Sequence, residues 1–301
     1  MLLATVIALT LQVQQAVVSV PASSTAEAAP RSTQAIRRQG GVTVDGRLTE
    51  AAWKGAPLLP ALVQRDPTEG AAPSERSEIR ILFDDEALYV GARLLDAAPD
   101  SIVARLARRD QSASSDAFTV FLDPYHDGRT GFYFGVNAAG TLYDGTLMND
   151  DWDDDTWDGI WESGVSRDSS GWALELRIPY SQLRFQQRDA YQWGINVKRE
   201  IARRNETDYL AMVPRRESGF VSRFLTLEGM RQVRPPRRLE LLPYVTTKAE
   251  FLDHTPGNPF NDGSQFRGSV GTDFKLGLGS NLTLDATVNP DFGQVEVDPA
   301  V

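Results

Sequence analysis

The sequence has no cysteine and only two histidines. Without thiols there are no disulfide frameworks, thiolate zinc sites or cysteine nucleophiles, and two imidazoles leave almost no material for a multi-histidine metal centre. Basic residues are outnumbered, because 31 Lys and Arg stand against 41 Asp and Glu and give a net charge of -10. That balance argues against a nucleic-acid partner held on a basic surface. With hydrophobic residues at 41% and charged residues at 24%, the composition excludes wholesale disorder and a multispanning α-helical membrane protein.

The N-terminal segment predicts export. Residues 2–11 form an apolar run that is too short to span a bilayer, and small residues follow it. We predict a signal peptide over residues 1–22, with residue 28 as an alternative end, although no Lys or Arg precedes the apolar run. Residues 23–41 are rich in Ala, Ser, Gln and Arg, a composition typical of a linker.

Residues 42–230 predict an all-β domain. Short apolar or alternating runs recur along this stretch, and a helical pattern is confined to short segments such as residues 48–54, where Trp53 is expected to be buried. Asp-Gly pairs supply turn signals that begin at Asp45, Asp127, Asp144 and Asp158. Many short strands with frequent turns favour an antiparallel β-sandwich.

A second pattern begins after residues 231–238, a basic and proline-rich stretch that we predict to be a linker. Residues 266–278 alternate strictly between apolar or small and polar or glycine positions, and the alternation resumes over residues 282–288. Such strands are typical of an outer-membrane barrel wall, so residues 239–301 predict the first strands of a membrane β-barrel in a chain that continues beyond Val301. The alternative is a meander that lies on the sandwich.

The densest cluster of charge is the acidic stretch 149–162, and no Lys or Arg occurs between Arg129 and Arg167. A hard cation such as Ca2+ relieves the repulsion between carboxylates by binding several oxygens at once. Four acids have the 1, 3, 5 and 12 spacing of an EF-hand loop and are the predicted Ca2+ ligands: Asp151, Asp153, Asp155 and Glu162. Thr156 stands where that loop needs glycine, and the alternative is a solvated acidic loop.

Tryptophans in the same stretch favour a sugar-binding platform. Sugar rings stack on aromatic faces, and neighbouring carboxylates accept hydrogen bonds from hydroxyl groups. We predict Trp152, Trp157 and Asp150 as ligand-binding residues, and Trp161 as a core residue. The alternative for these tryptophans is burial inside the sandwich.

No catalytic residue is predicted. The chain has no Gly-x-Ser-x-Gly, phosphate loop or dinucleotide fingerprint. A glycosidase needs two carboxylates at a fixed separation. Three aspartates are separate candidates for such a carboxylate: Asp116, Asp123 and Asp144. A glycoside hydrolase subunit is therefore a third hypothesis.

Two groups of motifs resemble known families. The first resembles the carbohydrate-binding module family 9-like sandwich, in Val44-Asp45-Gly46, Glu50–Trp53, Leu88–Gly91, Asp116–Asp123 and Trp172–Tyr180. The second is similar to proteins in which such a sandwich precedes a large outer-membrane barrel domain of unknown function, numbered 5916, in Phe132–Asn137, Leu183–Phe185 and Asn289–Glu296. The resemblance covers residues 42–301 and implies binding of sugar-chain ends by stacking aromatics, with Ca2+ in some members.

Together these observations predict an exported, non-catalytic glycan-binding sandwich over residues 42–230, attached to an outer-membrane barrel and acting in carbohydrate binding or uptake. The expected partners are an oligosaccharide or polysaccharide and outer-membrane lipid, with the sandwich in the periplasm and no nucleic acid. The main alternative is a structural plug or docking domain of a channel that binds no glycan.

Overall fold

The structure is a computed structural model that describes residues 31–111, 113–233, 239–251, 264–278 and 282–290. The predicted signal peptide, which ends at residue 22 or 28, lies outside the described residues. Within them the chain is almost entirely β-structure, with one α-helix, α1 (Ala51–Lys54). The strands are β1 (Ser32–Gln34), β2 (Ile36–Arg37), β3 (Val63–Asp66), β4 (Ser77–Phe83), β5 (Ala87–Leu95), β6 (Ala117–Asp123), β7 (Gly131–Asn137), β8 (Leu142–Met148), β9 (Trp152–Asp154), β10 (Glu162–Asp168), β11 (Gly171–Pro179), β12 (Trp193–Ile201), β13 (Glu206–Tyr209), β14 (Leu225–Glu228), β15 (Leu239–Phe251), β16 (Ser264–Leu278) and β17 (Leu282–Val288).

Strands β1 to β14 form two sheets that share one hydrophobic core, as expected for a sandwich. The larger, nine-stranded sheet has the order β1-β14-β12-β6-β7-β8-β9, with β13 and β3 attached beside β12. The smaller sheet has the order β10-β11-β5-β4-β2. Pairing is antiparallel except between β1 and β14 and between β2 and β4. The predicted all-β fold class is confirmed.

Alternation along each strand decides which side chains enter the core. In β7, Phe132, Phe134 and Val136 belong to the main core, whereas the intervening Tyr133 faces the opposite side of the sheet. Trp172 of the smaller sheet is one of the largest fully buried side chains. Burial of each such large apolar side chain contributes about 1.5–3 kcal/mol, so this interior carries most of the favourable free energy of folding.

A buried glutamate ties the first loop and helix to the smaller sheet. Glu175 of β11 is fully buried and accepts hydrogen bonds from Trp53 Nε1 at 2.7 Å and from the backbone nitrogens of Asp45 and Gly46 at 3.0 and 2.9 Å. Trp53 is buried as predicted, although the helix begins at Ala51 rather than at residue 48. The Glu175 carboxylate therefore holds the Val44-Asp45-Gly46 motif against the outer side of β11.

Two short strands correct the predicted linker over residues 23–41. β1 pairs with β14 and β2 with β4, so residues 32–37 belong to the sandwich, where Thr33 and Ala35 are buried. Strands of three and two residues show too little alternation to be recognised in sequence, and their partners lie far along the chain. The second predicted linker, residues 231–238, is corrected at its start, because Val233 is buried in the core. Residues 234–238 lie outside the described part.

Strands β15, β16 and β17 form a separate antiparallel sheet, in that order. The register aligns the apolar faces that alternation predicts, because Phe274 of β16 stands opposite Leu241 of β15 and Ala286 of β17. Large apolar side chains on this face are exposed, including Val245 at 71% and Val270 at 67%. The strand pattern predicted for residues 266–288 is confirmed over the described positions. None of the described helices has the length and apolar character needed to cross a bilayer.

A buried carboxylate without a partner makes the stability of the sandwich depend on pH. Asp208 of β13 is 0% exposed, stands in register with Arg199, and has no hydrogen-bond partner among the described residues for either carboxylate oxygen. Burial, with the negative charge of Glu206 added, raises the pKa of Asp208 to about 7. The folded state therefore binds this proton more tightly than the unfolded chain does.

We predict that Asp208→Asn increases the free energy of unfolding at pH 8 and that this gain shrinks as the pH falls to about 4. The raised pKa means that stability from the protonated group is present below the unfolded pKa of about 3.9 and is lost as the pH rises through 7. Urea unfolding at several pH values measures the difference.

The control variant, Asp168→Asn, should show the opposite dependence of stability on pH. A hydrogen bond from Arg93 lowers the pKa of the exposed Asp168 to about 2, so Asp168→Asn should lose stability at neutral pH and recover it as the pH falls through that value. A constant difference between Asp208→Asn and the parent at every pH contradicts the prediction.

Candidate functional site

The outer face of the nine-stranded sheet, away from the core, carries a groove made of two adjoining cavities. Their volumes are about 630 and 470 Å³, and both are lined by Tyr133, Tyr143, Asp153 and Lys198. We call the larger cavity the acidic half and the smaller one the aromatic half. The aromatic half adds Phe121, Tyr209 and Phe220. The groove is thus one continuous feature that crosses strands β6, β7, β8, β12 and β13.

Glycines on neighbouring strands make room for the two central tyrosines. The β7–β8 register sets Tyr133 opposite Gly145 and Tyr143 opposite Gly135. A Cβ atom at Gly135 would lie 2.1 Å from Tyr143 Cε2, and one at Gly145 would lie 2.4 Å from the Tyr133 hydroxyl. Each ring therefore lies over the glycine of the adjacent strand, and a larger residue in place of that glycine would leave no room for the ring.

Both tyrosine hydroxyls stay protonated over the physiological pH range. Burial raises the pKa of Tyr143 to about 12, and its hydroxyl lies 2.8 Å from Thr119 Oγ1. Burial also raises the pKa of Tyr133, and the negative charges of Asp153 and Asp155 raise it further. Two neutral phenols with adjacent carboxylates can exchange hydrogen bonds with hydroxyl groups of a ligand.

Strand β9 and the residues on either side of it bring three of the four predicted metal ligands to the groove. Asp151 lines the aromatic half, Asp155 the acidic half, and Asp153 both. Their spacing of two residues is the side-chain period of an extended strand. Glu162 begins β10 and pairs with Arg177 at 2.9 Å. The structure does not bring the four acids together as an EF-hand would, and Ca2+ at the remaining three stays a prediction.

The predicted sugar-binding residues lie outside the groove. Trp152 is 66% exposed and stands in register with Met148, one position away from the groove-lining Asp153 and Leu147. Trp157 packs edge-on against Phe132 and Phe134 of the core, with ring centroids 5.3 and 6.0 Å away. The structure therefore separates these two tryptophans, and Trp161 is buried as predicted.

Asp150, the third predicted sugar-binding residue, has a local structural contact. Its carboxylate accepts hydrogen bonds from the backbone nitrogens of Phe220 and Ser222 at 2.9 and 2.8 Å, and from the Ser222 hydroxyl at 2.8 Å. These bonds lower the pKa of Asp150 against the opposing effect of burial. They hold the loop that carries Phe220 against the end of β8.

A second acidic cluster forms ion pairs with an arginine. Among the described residues, Asp110, Asp144 and Asp158 form the one acidic group whose ligand atoms lie within 4.8 Å of one another. The Arg109 guanidinium contacts all three, at 2.7 Å from Asp144, 3.1 Å from Asp158 and 3.4 Å from Asp110. Because this cation already neutralises the cluster, the geometry is that of an ion-pair network.

Asp144 is the buried centre of that network. Its carboxylate is 0% exposed and also accepts hydrogen bonds from Gly159 N at 2.8 Å and from Trp161 Nε1 at 2.9 Å. Asp144 follows Tyr143 in β8, so consecutive residues face the groove and the interior. One strand thus shapes the groove and anchors the segment that connects β9 to β10.

Sequence reasoning missed Tyr133, Tyr143 and Tyr209 as candidate site residues. A signal is present in Phe132–Asn137, where strict alternation with buried phenylalanines places Tyr133 on the outer face. The matching Tyr-x-Gly spacings of β7 and β8 are a second signal, which becomes informative only once the strand register is known.

Comparison with known proteins agrees with this architecture. The family model described as "Carbohydrate family 9 binding domain-like" matches residues 44–209, more than half of the chain. The chain belongs to this family. A second model, "Domain of unknown function (DUF5916)", matches residues 235–301, so the order of the two predicted regions is confirmed. A search of curated proteins finds no match for this family member.

A solved structure supports the fold of the family 9-like region. A candidate carbohydrate-binding protein from Bacteroides uniformis ATCC 8492 is similar at 15% identity with a TM-score of 0.54, over 66% of this chain and 99% of that one. A carbohydrate binding module family 9 from Caldicellulosiruptor kristjanssonii, solved with cellotriose, has 16% identity and a TM-score of 0.49, over 66% and 96%. At such identities the similarity concerns the fold.

We predict that Asp144→Ala lowers the free energy of unfolding by about 3–5 kcal/mol, because it leaves buried donors and part of a buried ion pair without an acceptor. Asp158→Ala is the matched control. Its side chain is 72% exposed and contacts the same arginine, so the expected loss is below about 1 kcal/mol. Urea denaturation followed by tryptophan fluorescence measures both, and equal losses contradict the central role of Asp144.

Proposed function

We propose that the sandwich is a non-catalytic glycan-binding domain and that the groove holds the sugar against Tyr133 and Tyr143. The observation that carries this proposal is the pair of tyrosines whose rings lie over Gly145 and Gly135 at the centre of the groove. Aromatic faces of this kind take the C–H surfaces of sugar rings. Structures of carbohydrate binding modules of family 9 are solved with cellotriose and glucose, and residues 44–209 match the family 9 model, which makes an oligosaccharide the first ligand to test.

The walls of the groove suit the hydroxyl groups of a sugar. The acidic half is lined by amide and hydroxyl side chains, among them Asn137 and Thr141, and by the open carboxylates of Asp153 and Asp155. Binding sites for small ligands combine apolar surface with a few polar groups that fix orientation. Cavities of about 630 and 470 Å³ also fall within the usual range for such sites.

We further propose that residues 239–301 begin an outer-membrane barrel and place the sandwich in the periplasm, where it serves carbohydrate binding or uptake. Support comes from the aligned apolar face of β15, β16 and β17. An exposed apolar surface of this kind is unfavourable in water, and contact with lipid would remove it from water. The opposite face carries charged side chains such as Lys275 and Asp285, 3.8 Å apart.

We predict that Tyr133→Ala and Tyr143→Ala each weaken binding of cellotriose by about tenfold, the equivalent of about 1.4 kcal/mol, through loss of a stacking surface. Isothermal titration calorimetry measures the affinity, and melting temperatures show that the variants remain folded. Trp152→Ala is the control, since Trp152 lies outside the groove. Loss of binding in Trp152→Ala with normal affinity in both tyrosine variants assigns the sugar to the acidic loop instead.

We predict that Phe274→Arg prevents folding into lipid vesicles, whereas Lys275→Arg folds normally. An arginine on the lipid side of a barrel costs about 2–4 kcal/mol at the bilayer midplane, while the lumen side accepts charge. Gel-shift assays of the protein in its natural length, refolded into vesicles, measure the folded fraction. Equal folding of the two variants, or fractionation of the parent protein away from membranes, contradicts the barrel proposal.

A further inference from the structure

Nine acidic and two basic residues line the groove, because seven acids line the acidic half, three the aromatic half, and Asp153 is shared; the side chain of one of them, Asp144, faces the interior. The basic side chains are Lys198 and Arg65. Six of the acids have partners: Asp66 with Arg215, Asp110 and Asp144 with Arg109, Glu200 with Lys198, Glu217 with Arg223, and Glu206 with Ser74 N. Three carboxylates and Arg65 remain after these partners are counted, so the groove keeps a net negative charge.

Three carboxylates in the groove have no partner in the described part of the chain. Asp151, Asp153 and Asp155 are exposed and appear in no ion pair or hydrogen bond, whereas the intervening Asp154 accepts hydrogen bonds from Thr156. Asp153 lies in β9, and Asp151 and Asp155 flank that strand on either side, so the three carboxylates occur at every second position of the sequence. Asp153 and Asp155 line the acidic half of the groove together with Tyr133.

We infer that the groove selects glycans that carry free amino groups, such as polymers of 2-amino-2-deoxy sugars, over neutral and acidic glycans. The inference rests on the proposed function: the tyrosines define the site, and the three carboxylates define its selectivity. A protonated amine gains charge-assisted hydrogen bonds from open carboxylates and attraction to the Tyr133 and Tyr143 ring faces. A uronate or sulfate meets repulsion at the same place.

The spacing of the carboxylates favours a row of ammonium groups over one metal ion. Ca2+ gathers its oxygen ligands at 2.3–2.6 Å from a single centre, which requires carboxylates that converge. The three aspartates do not converge among the described residues, where the one close acidic group is the Arg109 cluster. A chain of linked amino sugars instead repeats its charge along its length, as the three aspartates in and beside β9 do.

The test compares three trimers with the same β-1,4 linkage at pH 6, in EDTA and at low salt, by isothermal titration calorimetry with the full chain. Glucosamine trimer carries ammonium groups, whereas N-acetylglucosamine trimer and cellotriose are neutral. We expect the glucosamine trimer to bind about five- to tenfold more tightly than cellotriose and this ratio to fall towards one at high salt.

Matched variants locate the selectivity. Asp153→Asn with Asp155→Asn should lower the affinity for the glucosamine trimer more than the affinity for cellotriose, so that their ratio falls to about one, while Asp154→Asn, on the opposite face of the same strand, should change neither value. Equal affinity of the glucosamine trimer and cellotriose overturns the inference but leaves the proposed function intact. Binding that appears only when Ca2+ replaces EDTA also overturns it, in favour of the metal prediction. Absence of binding by all three trimers overturns both.

Discussion

The buried carboxylate of Asp144 is the interaction on which the architecture of the site depends. It accepts hydrogen bonds from Arg109, Gly159 and Trp161, and so joins the segment after β9 to the edge of the larger sheet. A buried carboxylate stabilises a fold only when its acceptor positions are filled, and removal of one partner is costly. The same segment leads from one sheet to the other, so this anchor and the pairing of β9 with β8 together hold the chain around Asp153 beside the groove.

Strand β8 links that anchor to ligand binding. Asp144 faces the interior, and its neighbour Tyr143 faces the groove, in register with Gly135. The hydroxyl of Tyr143 is fixed by Thr119 on β6, so the ring is held by two strands of a well-packed sheet. A sugar that stacks there meets a preorganised surface, which reduces the entropy lost on binding. The more exposed acids of β9 can adapt to different substituents on the same ring.

The sequence predicts the fold more fully than the site. Alternation and Asp-Gly turns predict the sandwich and the face of each strand in residues 266–288, because these signals are local. The strands at residues 32–37 have no such signal, since their stability comes from distant partners. At Asp151, Asp153 and Asp155 the sequence spacing fits both a metal loop and a strand; the structure pairs Trp152–Asp154 with β8, and Ca2+ binding stays a prediction. The tyrosines are recognisable as a site only after long-range register places glycines beside them.

Charge and apolar surface are distributed in opposite ways in the two regions of the chain. The sandwich buries its large apolar side chains and leaves open carboxylates in a groove, where water and a polar ligand can reach them. The sheet of β15, β16 and β17 leaves Leu241, Val245 and Val270 exposed on one face, and apolar area of this size on an extended sheet is stable only when something covers it. The two regions therefore require different surroundings, one aqueous and one apolar. This difference is the physical basis of the proposal that residues 239–301 begin a barrel in a membrane while the sandwich lies in water.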